Sequence, residues 1–263
     1  MKYFLVTGAY GGMGNSVCKK LTGLGYTVFA LDKKIQSKNS SIIPIEADLT
    51  DENSIKNAFN VISNHTSTLD GILHFAGLYN LDSLVEMSED EFVKIFNVNL
   101  FGVYRINKIF MPLLTKGSKI LITTSELAPL SPLPFTGIYA ITKSALDKYA
   151  YSLRMEVQLL GIKVIVLRPG AVDTGMINVS LDKLDAFCEK TALYNCNAKR
   201  FKKIVNKVEA RKIKPTKIAN KTVKIINKKN PKFVYKINRN PLLLLLNVLP
   251  QRLQTFIIRK ILK

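Results

Sequence analysis

The sequence predicts an α/β fold: one doubly wound parallel sheet with helices on both faces, continued at the C-terminal end by an amphipathic helical extension. Two observations carry this. Short apolar runs rich in β-formers alternate with helical stretches, which demands right-handed crossovers and parallel pairing. The first run is followed at once by a glycine-rich turn that releases a helix. A chain of 263 residues suits one sizeable core and is too short for two ordinary ones. The domain is expected over residues 1–239 and the extension over 240–263.

Tyr3 to Thr7 reads as a buried strand. Gly8, Gly12 and Gly14 let the backbone bend tightly and approach a bound group, and a helix is expected from about Gly12 to Leu24. Its first turn offers unpaired N–H groups and a positive dipole end to a phosphate. A second run, Tyr26 to Leu31, ends in Asp32, placed to accept hydrogen bonds from a ribose. Strand, glycine turn, helix, strand and acid make a dinucleotide-binding unit.

Lys33 to Ser41 is polar and loop-like, and Ile42 to Ala47 is a third strand running into Asp48 and Leu49. From Asp51 to Ser63, Ile55, Phe59 and Ile62 stand at helical spacing behind a cap from Thr50 or Asp51. Leu69 to Phe75 is the fourth strand, ending at Ala76-Gly77. Glu91 to Leu114 reads as one long amphipathic helix carrying Asn97, Asn99 and Gly102, stopped near Pro112. Lys119 to Ser125 is a fifth strand, and Glu126 to Gly137, with Pro129, Pro132 and Pro134, is a stiff apolar loop. A helix from Ile138 to about Leu160 leads to a sixth strand, Lys163 to Leu167, closed by Arg168-Pro169-Gly170. Pro215 opens a helix to about Asn227, and Lys232 to Ile237 is a last strand.

The net charge of +20 is concentrated at one end. From Lys199 onward there are 20 Lys and Arg and a single acid, Glu209, so the preceding body is nearly neutral. That distribution argues against a surface built to coat nucleic acid, and no nucleic-acid-reading motif is present. Cys18, Cys188 and Cys196 are odd in number and lack metal-ligand spacing, so reduced thiols and no metal site are expected. Gly8 comes too early for a presequence, and no apolar stretch approaches the roughly 20 residues of a spanning helix. A cytoplasmic protein is expected.

Tyr139 and Lys143 are four residues apart at the start of a helix, so their side chains share a face. A tyrosine that exchanges a proton near neutrality must come down roughly three units from about 10, and an adjacent ammonium favours the phenolate. Ser125, ending the preceding strand, would hydrogen-bond the same substrate oxygen.

Thr7-Gly8, Gly12, Gly14, Asp48-Leu49, Ala76-Gly77, Asn99 in Val-Asn-Leu-Phe-Gly, Ser125, Tyr139 with Lys143, and Arg168-Pro169-Gly170 occur in the order of the short-chain dehydrogenase/reductase family, which the chain resembles over about residues 2 to 240. The resemblance implies a single-domain Rossmann fold and a nicotinamide cofactor. It makes Tyr139 the general acid/base, Ser125 the residue that orients the carbonyl, Lys143 the holder of the nicotinamide ribose and Asn99 the support of a water relay. Gly8, Tyr10, Gly12, Met13, Gly14, Asp32, Asp48, Leu49, Ala76, Gly77, Tyr139, Lys143, Pro169, Gly170, Val172 and Thr174 are the implied cofactor contacts. Gly175 to Lys214 would be a substrate lid. Two features depart from the family pattern. His74-Phe75 stand where asparagines are usual, and Ser125 is 14 residues before Tyr139 rather than 13, where Glu126 would fall. A carboxylate would repel a developing oxyanion, which keeps Ser125 in the role.

The extension resembles that of the hydroxysteroid and retinol dehydrogenase-like branch. Leu242, Leu245, Leu246, Leu249, Leu253, Phe256, Ile257 and Ile261 recur at helical spacing, broken at Pro250. Such a stripe is expected to dock on the protein, on a dimer or tetramer mate, or peripherally on an anionic inner membrane face. The expected function is interconversion of a secondary alcohol and a ketone, or an alcohol and an aldehyde, on an apolar substrate. NAD(H) is favoured over NADP(H), because Asp32 would repel a 2′-phosphate. Reduction of 3-oxoacyl carrier protein and nucleotide sensing without turnover are the alternatives.

Overall fold

A computed structural model describes residues 1–35, 42–209 and 211–263, so part of the expected Lys33 to Ser41 loop lies outside the described residues. Seven strands are β1 (Tyr3–Thr7), β2 (Thr27–Asp32), β3 (Ile42–Glu46), β4 (Leu69–His74), β5 (Leu114–Thr123), β6 (Lys163–Pro169) and β7 (Val234–Ile237). They form one sheet in the order β3-β2-β1-β4-β5-β6-β7, every pair parallel. The order reverses between β1 and β4, which places the ligand crevice at the C-terminal ends of these strands.

The helices are α1 (Gly12–Thr22), α2 (Glu52–Ser63), α3 (Glu89–Phe96), α4 (Gly102–Phe110), α5 (Gly137–Val157), α6 (Gly175–Lys190), α7 (Asn195–Glu209), α8 (Pro215–Ile226), α9 (Pro241–Val248) and α10 (Gln251–Leu262). Alternate strand residues feed opposite layers, as a two-residue period requires. Leu5, Phe29, Ile72 and Ile120 pack with Ile55 of α2, Ile106 and Phe110 of α4 and Leu146 of α5. Phe4, Val6, Val28 and Leu121 pack on the other face with Val17 and Leu21 of α1 and Ile218 and Ile225 of α8. A third apolar cluster joins Leu184 and Phe187 of α6, Phe201 and Val205 of α7 and Leu262 of α10. Phe135 is its keystone: the ring centroid is 4.9 Å from that of Phe187, 5.3 Å from Tyr194 and 5.4 Å from Phe201. The residue sits at φ 63°, a left-handed conformation that costs roughly 1–2 kcal/mol and that this aromatic packing offsets.

Two elements differ from the sequence expectation. The helix expected to run unbroken from Glu91 starts at Glu89, capped by Ser88, and is interrupted by a π-helical turn, Asn97–Phe101, before α4. The wider turn brings Asn99 fully into the interior. β5 begins at Leu114, paired with Leu69, and continues through a register shift to Lys119 opposite Gly71. The shift is bridged by the Ser118 hydroxyl, which accepts the Thr115 N–H at 3.0 Å and donates to the Leu69 carbonyl at 2.7 Å.

Candidate active site

The glycine turn bends where the sequence places it. Gly8 adopts φ 65°, and a Cβ there would stand 2.5 Å from the Ala76 nitrogen, so no larger residue fits between β1 and the loop after β4. Gly12, the first residue of α1, lies against Thr174, whose Cγ2 would be 2.6 Å from an added Cβ. Two expected cofactor positions 162 residues apart thus meet at the positive end of α1. Asp32 ends β2 with Oδ2 accepting the Tyr10 N–H at 2.9 Å and Oδ1 accepting that of Lys33 at 2.8 Å. Lys33 Nζ reaches Asp48 at 2.6 Å. Burial acts to raise the Asp48 carboxyl, but hydrogen bonds from Lys33 and Thr50 outweigh it and hold the group at about 2.

A cavity of about 170 Å³ opens at the strand ends beside this turn. Met13, Ala76, Gly77, Ser125, Tyr139, Lys143, Pro169, Gly170, Val172 and Thr174 all line it. Much of the remaining wall is apolar, with Leu127 and Leu133 from the proline-rich loop, Phe201 and Ile204 from α7, and Leu243 from α9, while Glu126, Thr123, Thr124 and Thr136 add polar groups. Asn99 braces the wall from behind. Its Oδ1 accepts the Leu78 N–H at 2.7 Å, and its Nδ2 donates to the Leu78 carbonyl at 2.9 Å and to Thr142 Oγ1 at 3.1 Å.

Ser125 follows β5, where its Oγ accepts the Leu127 N–H at 3.1 Å and hydrogen-bonds the Tyr139 hydroxyl. Lys143, one turn along α5 and buried, donates to the Thr123 carbonyl at 3.4 Å with Nζ 5.6 Å from the Tyr139 ring centroid. Asp147, a further turn along, takes a bidentate ion pair from Arg168 and the hydroxyl of Thr124 at 3.2 Å, tying α5 to the ends of β5 and β6. Burial pushes the Tyr139 phenol up to about 12, against the opposing Ser125 hydrogen bond, and pulls Lys143 down to about 8. In the protein alone desolvation dominates and leaves the phenol protonated, so the lowering expected from Lys143 and a cationic nicotinamide together has to overcome burial.

Three residues at the site carry little sequence signal. Tyr79 sets its ring edge-on to Tyr139 at 4.6 Å, and Leu243 arrives from a distant helix. Glu126 accepts the Asn240 N–H at 2.6 Å while lining the pocket, and burial raises its carboxyl. It therefore anchors the start of the extension.

His74 lies outside the pocket, in the sheet. Asn107 donates to Tyr149 at 3.1 Å, so its Oδ1 accepts the proton of His74 Nε2 at 2.9 Å. Burial lowers His74 from 6.5 to about 4, a neutral core imidazole. Because the unfolded chain binds this proton and the folded chain does not, stability is present above pH 6.5 and is lost as pH falls toward 4. The loss amounts to about 3 kcal/mol at 1.36 kcal/mol per unit. Urea unfolding of His74→Asn should show that much less pH dependence over the window, and curves parallel to the wild type would contradict it.

These features coincide with a known pattern. The short chain dehydrogenase family matches residues 2–185. The 3-ketodihydrosphingosine reductase of Bacteroides thetaiotaomicron is 28% identical over 235 residues, covering 89% of this chain and 86% of that protein. Estradiol 17-beta-dehydrogenase 2 of Mus musculus is 34% identical over 191 residues, 66% of this chain and 49% of that one, so the chain spans about half its length. A short chain dehydrogenase/reductase from Burkholderia phymatum, solved in complex with NAD, superposes with a TM-score of 0.74 at 19% identity, covering 89% of this chain and 88% of that one. The chain belongs to the short-chain dehydrogenase/reductase family. Within it the protein is an NAD(P)-dependent oxidoreductase.

Proposed function

We propose that the protein interconverts a secondary alcohol and a ketone on an apolar substrate, using NAD(H), with Tyr139 as the general acid/base. One observation carries this: Ser125, Tyr139 and Lys143 converge on an apolar pocket that the glycine turn and Thr174 also border. The residues fit a nicotinamide dinucleotide, with a side-chain-free cradle at Gly8 and Gly12, a carboxylate at Asp32 and a lysine facing the pocket. When bound, the cofactor would accept or deliver the hydride and, oxidised, add a positive charge that favours the phenolate. Tyr139 takes the alcohol proton or returns it to the carbonyl oxygen. Ser125 donates to the same oxygen, and Lys143 holds the ribose and supplies positive charge beneath the ring. The relatives' names, a reductase of a ketone and a dehydrogenase of a steroid alcohol, support an apolar substrate. Exposed Phe101, Tyr104, Ile141 and Met155 along the π-helical turn, α4 and α5 support a homodimer or homotetramer through that face.

Purified protein incubated with NAD and a panel of secondary alcohols should give NADH with steroid or long-chain members and little with short polar ones. Turnover confined to 3-oxoacyl thioesters would replace this reading with carrier-protein reduction. NADH binding with no turnover across the panel would replace it with nucleotide sensing.

A further inference from the structure

The C-terminal extension presents three distinct surfaces. α9 sends Leu243 into the pocket, and the Oδ1 of Asn247 accepts the Ser131 N–H at 2.7 Å. Its Leu242, Leu245 and Val248 are instead 64, 64 and 82% exposed. With about 3.6 residues per turn, α10 divides into three arcs. Gln254, Ile258 and Leu262 form the covered arc, with Ile258 and Leu262 packed in the α6–α7 cluster. Leu253, Phe256, Ile257 and Ile261 form an open apolar arc, Phe256 56% and Ile261 54% exposed. Arg252, Arg259 and Lys263 form a cationic arc along its edge, and Lys260 reaches over the Phe256 ring at 5.7 Å. Residues 240–263 contain no acid.

We propose that α9 and α10 dock in the interfacial plane of an anionic lipid bilayer. Six exposed large apolar side chains on two consecutive helices exceed the scattered apolar residues of an ordinary surface. The adjoining cations suit headgroup phosphates, and this pairing is the signature of a helix lying in the interface. The helices have 8 and 12 residues, so they lie on the bilayer and do not cross it. Among the described residues, no helix is long and apolar enough to span. A second copy fits less well, because a two-fold contact would bring Arg252, Arg259, Lys260 and Lys263 of both copies together with no acid in the segment to answer them. An acidic carrier protein would answer the cations and leave the apolar arc in water. Docking would also place one side of α9 on lipid and its Leu243 in the pocket wall, a short path for a membrane-dissolved substrate. That corollary rests on the apolar-substrate reading; the docking does not.

The chain contains no tryptophan, so Phe256→Trp places a single reporter in the open arc. Its emission should shift to the blue with phosphatidylglycerol-containing vesicles at low salt and stay unchanged with pure phosphatidylcholine. In co-sedimentation, Leu245→Asp should abolish binding. Arg252→Gln, Arg259→Gln and Lys263→Gln together should weaken it about a hundredfold, since each cation contributes about 1 kcal/mol near anionic lipid. NADH binding and thermal melts confirm that the variants fold, and because no readout is turnover, failure here leaves the oxidoreductase reading untouched. An unshifted emission, or wild-type protein that ignores anionic vesicles, overturns the proposal. A dimer dissolved by Leu245→Asp in protein that ignores vesicles would overturn it and assign the face to a second copy.

Discussion

Tyr139→Phe is expected to lower kcat about a thousandfold while leaving the affinity for NADH within about twofold, because it removes one transferable proton and almost no volume. The phenol is the group for which the pocket is built. It hydrogen-bonds Ser125, packs against Tyr79 at 4.6 Å, and has Lys143 Nζ 5.6 Å from its ring centroid. Burial holds the phenol at about 12, so the protein alone does not release its proton near neutrality. The charges of Lys143 and oxidised nicotinamide are needed together. Lys143→Ala should therefore reduce kcat and also weaken cofactor binding, which separates its two roles from the single role of Tyr139. Steady-state kinetics beside fluorescence titration of NADH reads both quantities. Residual activity within tenfold of wild type for Tyr139→Phe would remove it from the acid/base role.

The second large effect is cofactor choice. A 2′-phosphate beside Asp32 would meet like charge, and two unit charges about 4 Å apart repel by about 4 kcal/mol at an effective dielectric of about 20, roughly a thousandfold. Lys33 is the nearest candidate to relieve this, but its ammonium is paired with Asp48 at 2.6 Å. Lys34 is exposed and offsets a smaller part through water. We expect kcat/KM for NAD to exceed that for NADP about a hundredfold after screening, with Asp32→Ala narrowing the gap to about tenfold or less. Equal specificity constants in the wild type would show that the lysines win and that Asp32 does not set the preference.

The order of strands and helices was legible in the sequence because each depends on local signals. Gly8, Asp32 and Gly170 sit where short apolar runs end, and the period switches between strand and helix at those same places. The convergence of Ser125, Tyr139 and Lys143 was legible because two stand one helix turn apart and the third closely follows the strand before it. What escaped depends on contacts between distant segments. The π-helical turn has no compositional signature; it accompanies packing at Gly102, where a Cβ would stand 2.9 Å from that of Leu49. The early start of β5 rests on Ser118 bridging to Leu69. Leu243, and the Asn240 N–H that Glu126 accepts, reach the site only through the fold of the extension, more than 100 residues from the catalytic loop. The size of the burial effect on Tyr139 was not legible for the same reason: a neighbouring lysine is visible in sequence, whereas full desolvation is a property of the assembled pocket.

The central claim is that Tyr139 and Ser125 jointly hold the oxygen at which chemistry occurs. A crystal structure of the protein with NAD and a bound secondary alcohol tests it most directly. The alcohol oxygen should lie within hydrogen-bond reach, about 2.6–3.2 Å, of both the Tyr139 Oη and the Ser125 Oγ, with its carbinol carbon toward the nicotinamide. An alcohol oxygen directed instead at Glu126, or turned away from both hydroxyls toward the α7 wall, would contradict the account.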